Sequence, residues 1–161
     1  MRIGVVSDTH NNLANVTRIV EMFNAAGVER VIHTGDITQA KIIEVFAHLN
    51  APMYGVYGNN DQERESLEAA VAACGFQFCD PPFTATWAQR DIIVVHDPLE
   101  FEGHLNASHE LVLHGHTHRY RLEHEDNQLI FNPGECAGHM AGLNAVGVVD
   151  LVNLQTQLLK F

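Results

Sequence analysis

The chain predicts an α/β fold whose first half is a parallel sheet with crossover helices. Two observations carry this. Apolar runs rich in Ile and Val alternate with segments of helical period as far as Cys74, and each run ends in a cluster of polar residues and glycines. Arg2 to Ser7 reads as a buried strand, with Asp8 to Asn12 as the loop leaving it. From Leu13 on, Val16, Ile19, Val20 and Phe23 recur at helical spacing until Gly27, a residue suited to stop a helix. Val28 to His33 is a second strand, ending at Thr34-Gly35-Asp36. A helix over about Thr38 to Leu49 leads through Pro52 to a third strand, Met53 to Tyr57, which ends at Gly58-Asn59-Asn60-Asp61. In open sheets of this kind ligands bind beyond the carboxyl ends of the strands, which is where these polar clusters fall.

After a helix at about Glu63 to Cys74 the pattern changes to short strands: Phe76 to Phe78, Phe83 to Trp87 and Asp91 to His96. Asp97 to Glu110 is a loop with little room for a full helix. Leu111 to His114 is apolar again and runs into Gly115-His116-Thr117-His118. Arg119 to Glu123, Gln128 to Phe131, Ala145 to Leu151 and Gln155 to Leu159 are expected to be antiparallel strands separated by turns such as Asn132-Pro133-Gly134. Residues 1–161 are expected to form one domain, since a chain of this length buries about two thirds of its unfolded surface.

Composition narrows the function. No window approaches the roughly 20 apolar residues of a membrane helix, and the apolar run after Arg2 is cut at Asp8, short of a signal peptide's core. A cytoplasmic protein without a membrane partner is expected. Cys74, Cys79 and Cys136 are odd in number and not at zinc spacing, so they read as reduced thiols. Twenty acidic against nine basic residues, a formal charge of −11, disfavour duplex nucleic acid as a partner. A homo-oligomer using the strand-rich C-terminal half stays open. The unusual feature is eleven histidines, since His is the commonest metal ligand.

Asp8 and His10 lie one residue apart on a loop leaving a strand, so both can turn to one point above the sheet edge. Taken singly, each polar cluster has a plainer reading: Ser7, Asp8, Asn11 or Asn12 could cap the helix that follows, Asp36 could cap the next, and Asn59 and Asn60 could form a tight turn. Those readings leave His116, His118 and His96 unexplained. Three imidazoles at strand ends repel one another when protonated, and a bound divalent ion resolves the crowding.

Asp8-Thr9-His10, Gly35-Asp36, Gly58-Asn59-Asn60-Asp61, His96 and Gly115-His116-Thr117-His118 resemble, in order, the motifs of the calcineurin-like metallophosphoesterases. The short length and the Asn132-Pro133-Gly134 turn are most similar to the small YfcE-type phosphodiesterases of that family. The resemblance implies a sandwich of two mixed β-sheets flanked by α-helices. It also implies that Asp8, His10 and His118 bind one ion, that Asn59, His96 and His116 bind another, and that Asp36 bridges them. Asp36, Asn59 and His96 are further expected to act in catalysis. Chemistry alone requires a carboxylate as the bridge, Asp36 or Asp8, because a neutral imidazole nitrogen serves one cation. The nitrogen and oxygen set without thiolate suits Mn²⁺, Fe, Co²⁺, Ni²⁺ or Zn²⁺ better than Mg²⁺, with Mn²⁺ the first choice.

The implied activity is hydrolysis of a small phosphate ester, most of all a phosphodiester, by a two-metal mechanism with a metal-bound hydroxide as nucleophile. Two departures from the family pattern matter. Asn60 stands where many relatives have a histidine thought to assist the leaving group, and Asp97 stands where a glycine is common. His33, His114 and His139 are candidate replacement proton donors. Gly134-Glu135-Cys136-Ala137-Gly138 has the form of a nucleophile elbow but precedes a segment poor in helix formers. The non-enzyme alternative is a metal-binding interaction scaffold, since a retromer subunit shares this fold. No Gly-x-Ser-x-Gly, Gly-x-Gly-x-x-Gly or phosphate loop is present. Specificity is expected from rim loops at Asp97 to Glu110 and Cys136 to Asn144.

Overall fold

Alternation along the first strand sets the layers. In β1 (Arg2–Val6), Ile3 and Val5 face one way and Gly4 and Val6 the other, and both faces are covered. The computed structural model describes all residues, Met1–Phe161. On the Gly4 side lie α1 (Leu13–Ala26), α2 (Ala40–Phe46) and α3 (Arg64–Ala73). Their apolar stripes, including Val16, Ile19, Phe23, Ile42, Phe46 and Leu67, form the larger core. α1 starts where Asn12 accepts the Asn15 N–H at 3.1 Å, so of the four candidate caps Asn12 serves. It stops, as expected, at Gly27 in the left-handed region.

α2 is shorter than the expected Thr38 to Leu49. Thr38 has φ 72° and gives its N–H to the Asp61 carboxylate at 2.6 Å, which delays the start. His48 and Leu49 close the far end in i→i−3 turns. Asp36 caps nothing: the N-cap of α2 is Gln39.

The first sheet has the order β11-β10-β1-β2-β3-β4, with β2 (Arg30–His33), β3 (Met53–Val56), β4 (Gln77–Cys79), β10 (Ala145–Asp150) and β11 (Gln155–Lys160). β1 to β4 run parallel, and β10 and β11 join antiparallel at the β1 edge. The second sheet has the order β5-β6-β7-β9-β8, with β5 (Phe83–Trp87), β6 (Arg90–Val94), β7 (Leu111–Leu113), β8 (Arg121–Glu125) and β9 (Gln128–Asn132). The expected antiparallel pairing of the C-terminal strands holds for β8 with β9 and β10 with β11. It does not extend to β9 on β7, which is parallel, as is β7 on β6.

Both sheets are therefore mixed, and they pack face to face. Ile3, Val5, Ile32 and Val56 of the first meet Ile92, Leu113 and Phe131 of the second in a core that excludes water. All three helices cover the outer face of the six-stranded sheet. The outer face of the other carries Ile93, Val112 and Ile130, sheltered by Phe101 and Leu105. Those two residues belong to the segment after β6, whose only regular turn is a 3₁₀ helix at Pro98–Phe101. No helix is long and apolar enough to cross a membrane.

Candidate metal centre

The seven residues expected as metal ligands follow the carboxyl ends of five parallel strands, β1, β2 and β3 of one sheet and β6 and β7 of the other. The backbone there is unusual. Asp8, His10, Asp36, His116 and His118 have φ between 44° and 64°, a left-handed conformation that L-residues other than Asn and Asp seldom adopt. Such angles persist where surrounding structure enforces them. Asp8 and His10 give their N–H groups to the carbonyls of Gly35 and Asp36 at 3.1 and 2.9 Å, so the β1 and β2 loops are laced together. Gly115 is required by close approach: a Cβ there would lie 2.1 Å from Ser7 Oγ and 2.9 Å from Asp8 Oδ2.

Asp8, His10, Asp36 and His118 bring one donor atom each to within 4.8 Å of one another. Asp8 Oδ2 is occupied, accepting the Ser7 hydroxyl and the His116 N–H, which leaves Oδ1 facing His118 Nε2 at 3.3 Å. His10 Nε2 faces Asp36 Oδ2 at 3.7 Å. Buried Asp8 Oδ1 and His10 Nε2 have no hydrogen-bond partner. Unpartnered buried acceptors of this kind are costly unless a cation meets them. Burial lowers the pKa of His10 despite the pull of Asp36 and Asp8, which keeps its ring neutral and able to donate a lone pair.

A second set of acceptors lies on the other side of Asp36. His96 Nε2 is 2.9 Å from Asn59 Oδ1, 3.2 Å from His116 Nδ1 and 3.4 Å from Asp36 Oδ1, and His116 Nδ1 is 3.0 Å from Asn59 Oδ1. His96 Nδ1 lies 2.9 Å from the Thr34 carbonyl, which only accepts, so Nδ1 carries a proton and Nε2 is the free nitrogen. Burial disfavours the charged ring, but hydrogen bonding and attraction to Asp36 outweigh it and raise His96 to about 9. A proton on Nε2 thus does in the metal-free protein what a cation would do. Burial likewise opposes ionisation of Asp36, yet the bonds from His96 and Asn60 hold its carboxyl well below the usual range. The anionic carboxylate turns Oδ2 to one donor set and Oδ1 to the other. The residues fit divalent ions: carboxylate and amide oxygens and imidazole nitrogens gathered together, with no thiolate among them.

The calcineurin-like phosphoesterase superfamily domain matches residues 1–154. The chain belongs to that superfamily. Phosphodiesterase MJ0936 of Methanocaldococcus jannaschii is 35% identical over 162 residues, 93% of each chain. A solved archaeal phosphodiesterase superimposes with a TM-score of 0.89 at 32% identity, over 100% of both chains. The structure of YfcE, a phosphoesterase from Escherichia coli, shares the fold with a TM-score of 0.72 at 21% identity, over 99% of this chain and 98% of that one.

Asn60 and Asp97, the two positions expected to depart from the family pattern, have visible roles. Asn60 gives its backbone N–H to Asp36 Oδ1 at 2.9 Å and its amide to Oδ2 at 2.7 Å, so its donors steady the central carboxylate. Asp97 stands against His116 of the second set. It caps the 3₁₀ turn through Leu99 N–H and places Oδ2 3.5 Å from His116 Nε2, orienting the ring whose other nitrogen faces Asn59.

Asp61 is the residue that sequence reasoning passed over. Its buried carboxylate accepts four backbone N–H groups, from Asp36, Ile37, Thr38 and Gly58, at 2.6 to 3.0 Å. It clamps the β2 loop to the β3 loop. Its place at the end of the Gly58-Asn59-Asn60-Asp61 turn was the available signal. Glu135, also fully buried, accepts N–H groups of Ala137, His139 and Met140 and lies 4.0 Å from His118 Nδ1.

The candidate proton donors separate cleanly. His33 is fully buried, accepts the Gly35 N–H on Nδ1 at 3.0 Å, and therefore donates from Nε2 to Thr9 Oγ1 at 3.0 Å. Burial lowers it to about 3, so it holds no transferable proton at neutral pH. His114 is buried, its pKa lowered by burial, with Nδ1 against the Gly115 carbonyl. His139 is exposed and stacks on His118 with ring centroids 5.5 Å apart. Cys136 is no nucleophile. It is fully buried, bonded to the Ala145 carbonyl, followed by no helix, and burial raises its thiol far above the usual range.

Replacing Asp61 with Ala strands four N–H groups. Urea unfolding of the metal-free Asp61→Ala protein should show a loss on the order of 3 kcal/mol or more, and a loss below about 0.5 kcal/mol would remove the clamp role. His33 generates a pH effect of known sign. Its folded pKa lies below the ordinary 6.5, so the unfolded chain binds the extra proton and stability falls as pH drops from about 6.5 toward 3. The slope from this group is at most about 1.4 kcal/mol per pH unit. Urea midpoints across that window should fall less steeply for His33→Gln than for wild type; parallel curves would contradict the assignment.

Proposed function

We propose that the protein is a dinuclear metal-dependent phosphodiesterase acting on small phosphodiesters. The observation that carries this is the Asp36 carboxylate, whose two oxygens face two separate donor sets. Asp8, His10 and His118 would hold one divalent ion, Asn59, His96 and His116 the other, and Asp36 both, with Mn²⁺ the first choice of metal. Two such ions supply Lewis acidity, an acidified water and charge neutralisation for in-line displacement at phosphorus. The relatives named as phosphodiesterases support the reaction class.

The chain's own residues orient the reacting groups. Asn60 and Asp61 fix Asp36 from opposite sides, one through the carboxylate and one through the backbone. Ser7 and the His116 N–H turn Asp8 so that Oδ1 faces inward. Asp97 and Glu135 stand behind His116 and His118, where carboxylates of this kind fix the ring and raise its basicity. The Asn60 turn offers no side chain to protonate a leaving group, since an amide is no acid near neutral pH and the Asp61 carboxylate is buried under four backbone N–H groups.

Metal-stripped protein reloaded with Mn²⁺, Ni²⁺, Co²⁺, Zn²⁺ or Mg²⁺ should hydrolyse phosphodiesters, with the transition metals ahead of Mg²⁺. Asp36→Asn should abolish turnover and lower the bound metal below two ions per chain by elemental analysis. Full metal loading with no hydrolysis of any diester or monoester would instead favour the scaffold reading. A positioned general acid is worth about 10² to 10⁴ in rate. Without one, turnover should be good for esters with acidic leaving groups such as nitrophenol and poor for simple alkyl esters. Equal rates for the two classes would show that a donor operates.

A further inference from the structure

His118 also lines a cavity of about 440 Å³. It opens between the β11 edge of one sheet and the Tyr120 end of the other, under the segment 136–144. Its walls are unlike the rest of the surface. Tyr120, Met140 and Leu143 are 52, 38 and 48% exposed and make up half of the six large apolar side chains that the protein leaves open to water. Arg119 and Lys160 line the same cavity. In a chain with only nine basic residues, neither forms an ion pair, and neither side chain donates a hydrogen bond within the protein. An apolar cleft with two unpartnered cations at its edge, adjoining a reaction centre, has the size and composition of a ligand subsite.

The cavity is preformed. The Tyr120 ring meets Phe131 of the central core edge-on at 6.3 Å and 82°. The facing segment is pinned by Glu135 through three N–H groups and by the Asn12 and Asn15 amides, which donate to the Ala137 and Cys136 carbonyls at 2.8 and 2.7 Å.

Resting on the phosphodiesterase reading above, we propose that this cavity binds the second ester substituent of the substrate and selects a planar aromatic one. The ring lies among Tyr120, Met140 and Leu143, and its acceptor oxygens meet Arg119 and Lys160. A nucleoside or a plain aryl group offers such a ring, and only the nucleoside offers acceptors to both cations.

Three diesters sharing a p-nitrophenyl leaving group separate these cases: the methyl, phenyl and thymidine-5′ esters, assayed with the Mn²⁺-loaded protein. Both ring-bearing esters should exceed the methyl ester in kcat/KM by about tenfold or more. Leu143→Trp, which fills the cavity, and Tyr120→Ala, which removes a wall, should each collapse that advantage. Arg119→Ala should reduce the thymidine ester relative to the phenyl ester if nucleosides are the source; an unchanged ratio assigns the site to aryl groups. A binding readout free of turnover is saturation transfer from metal-free protein to the ring protons of thymidine or phenylphosphonate, lost in Leu143→Trp. Equal kcat/KM on all three esters, with neither cavity variant altering the ratios, overturns the subsite and leaves the phosphodiesterase reading intact. Failure to hydrolyse any of the three with metal bound overturns that reading and the substrate subsite with it.

Discussion

Lone pairs from Asp8, His10, Asp36, Asn59, His96 and His116 point at one another across a few ångströms, and this mutual repulsion is the constraint around which the molecule is organised. Such a gathering is unstable by itself, because Asp8 Oδ1 and His10 Nε2 have left water without gaining a donor. It is held by elements that do not share the problem: the apolar core between the sheets, the helix-side core, and backbone N–H groups delivered to Asp8, Asp36 and Asp61. Five left-handed residues among the seven proposed ligands record the same tension in the backbone. A cation relieves it, and in the metal-free protein a proton on His96 relieves part of it.

Much of the arrangement was legible because strand ends and polar clusters coincide in the sequence. The three crossover helices, the Gly27 stop and the strand ends carrying Asp8, Asp36, Asn59, His96 and His116 all follow from local pattern and turn chemistry. What local pattern does not encode is pairing across long separations. The insertion of β7 between β6 and β9, with β8 pushed to the edge, is decided by which apolar faces meet in the inter-sheet core. The short α2 has the same origin, because a carboxylate 23 residues further along captures the Thr38 N–H.

Within the site, ligand-type residues were readable and their supports were not. Histidine and aspartate announce themselves by chemistry, whereas Asp61, Glu135 and Asn60 gain their roles from backbone groups that only folding brings near. The Asn60 position illustrates the difference. Read as a sequence, it is a missing histidine; in space it is a two-point anchor on the carboxylate that joins the two donor sets. Asp97 likewise reads as a misplaced charge and acts as a prop for His116.

The two segments expected to form the rim have diverged in use for a reason rooted in packing. The five-stranded sheet has no helix on its outer face, so Phe101 and Leu105 of the segment after β6 are drawn down onto Ile93, Val112 and Ile130. Only Asp97, at the start of that segment, stays beside the donor atoms. Segment 136–144 has no uncovered sheet to shelter, because β10 and β11 already belong to a sheet roofed by helices. Released from that duty and tied down by Glu135, it projects His139 over His118 and leaves Met140 and Leu143 facing water. Exposed apolar surface of this kind costs stability unless something covers it. Placed beside the proposed metal centre, it would orient a substrate with its phosphate toward the donor set and its apolar substituent away from it.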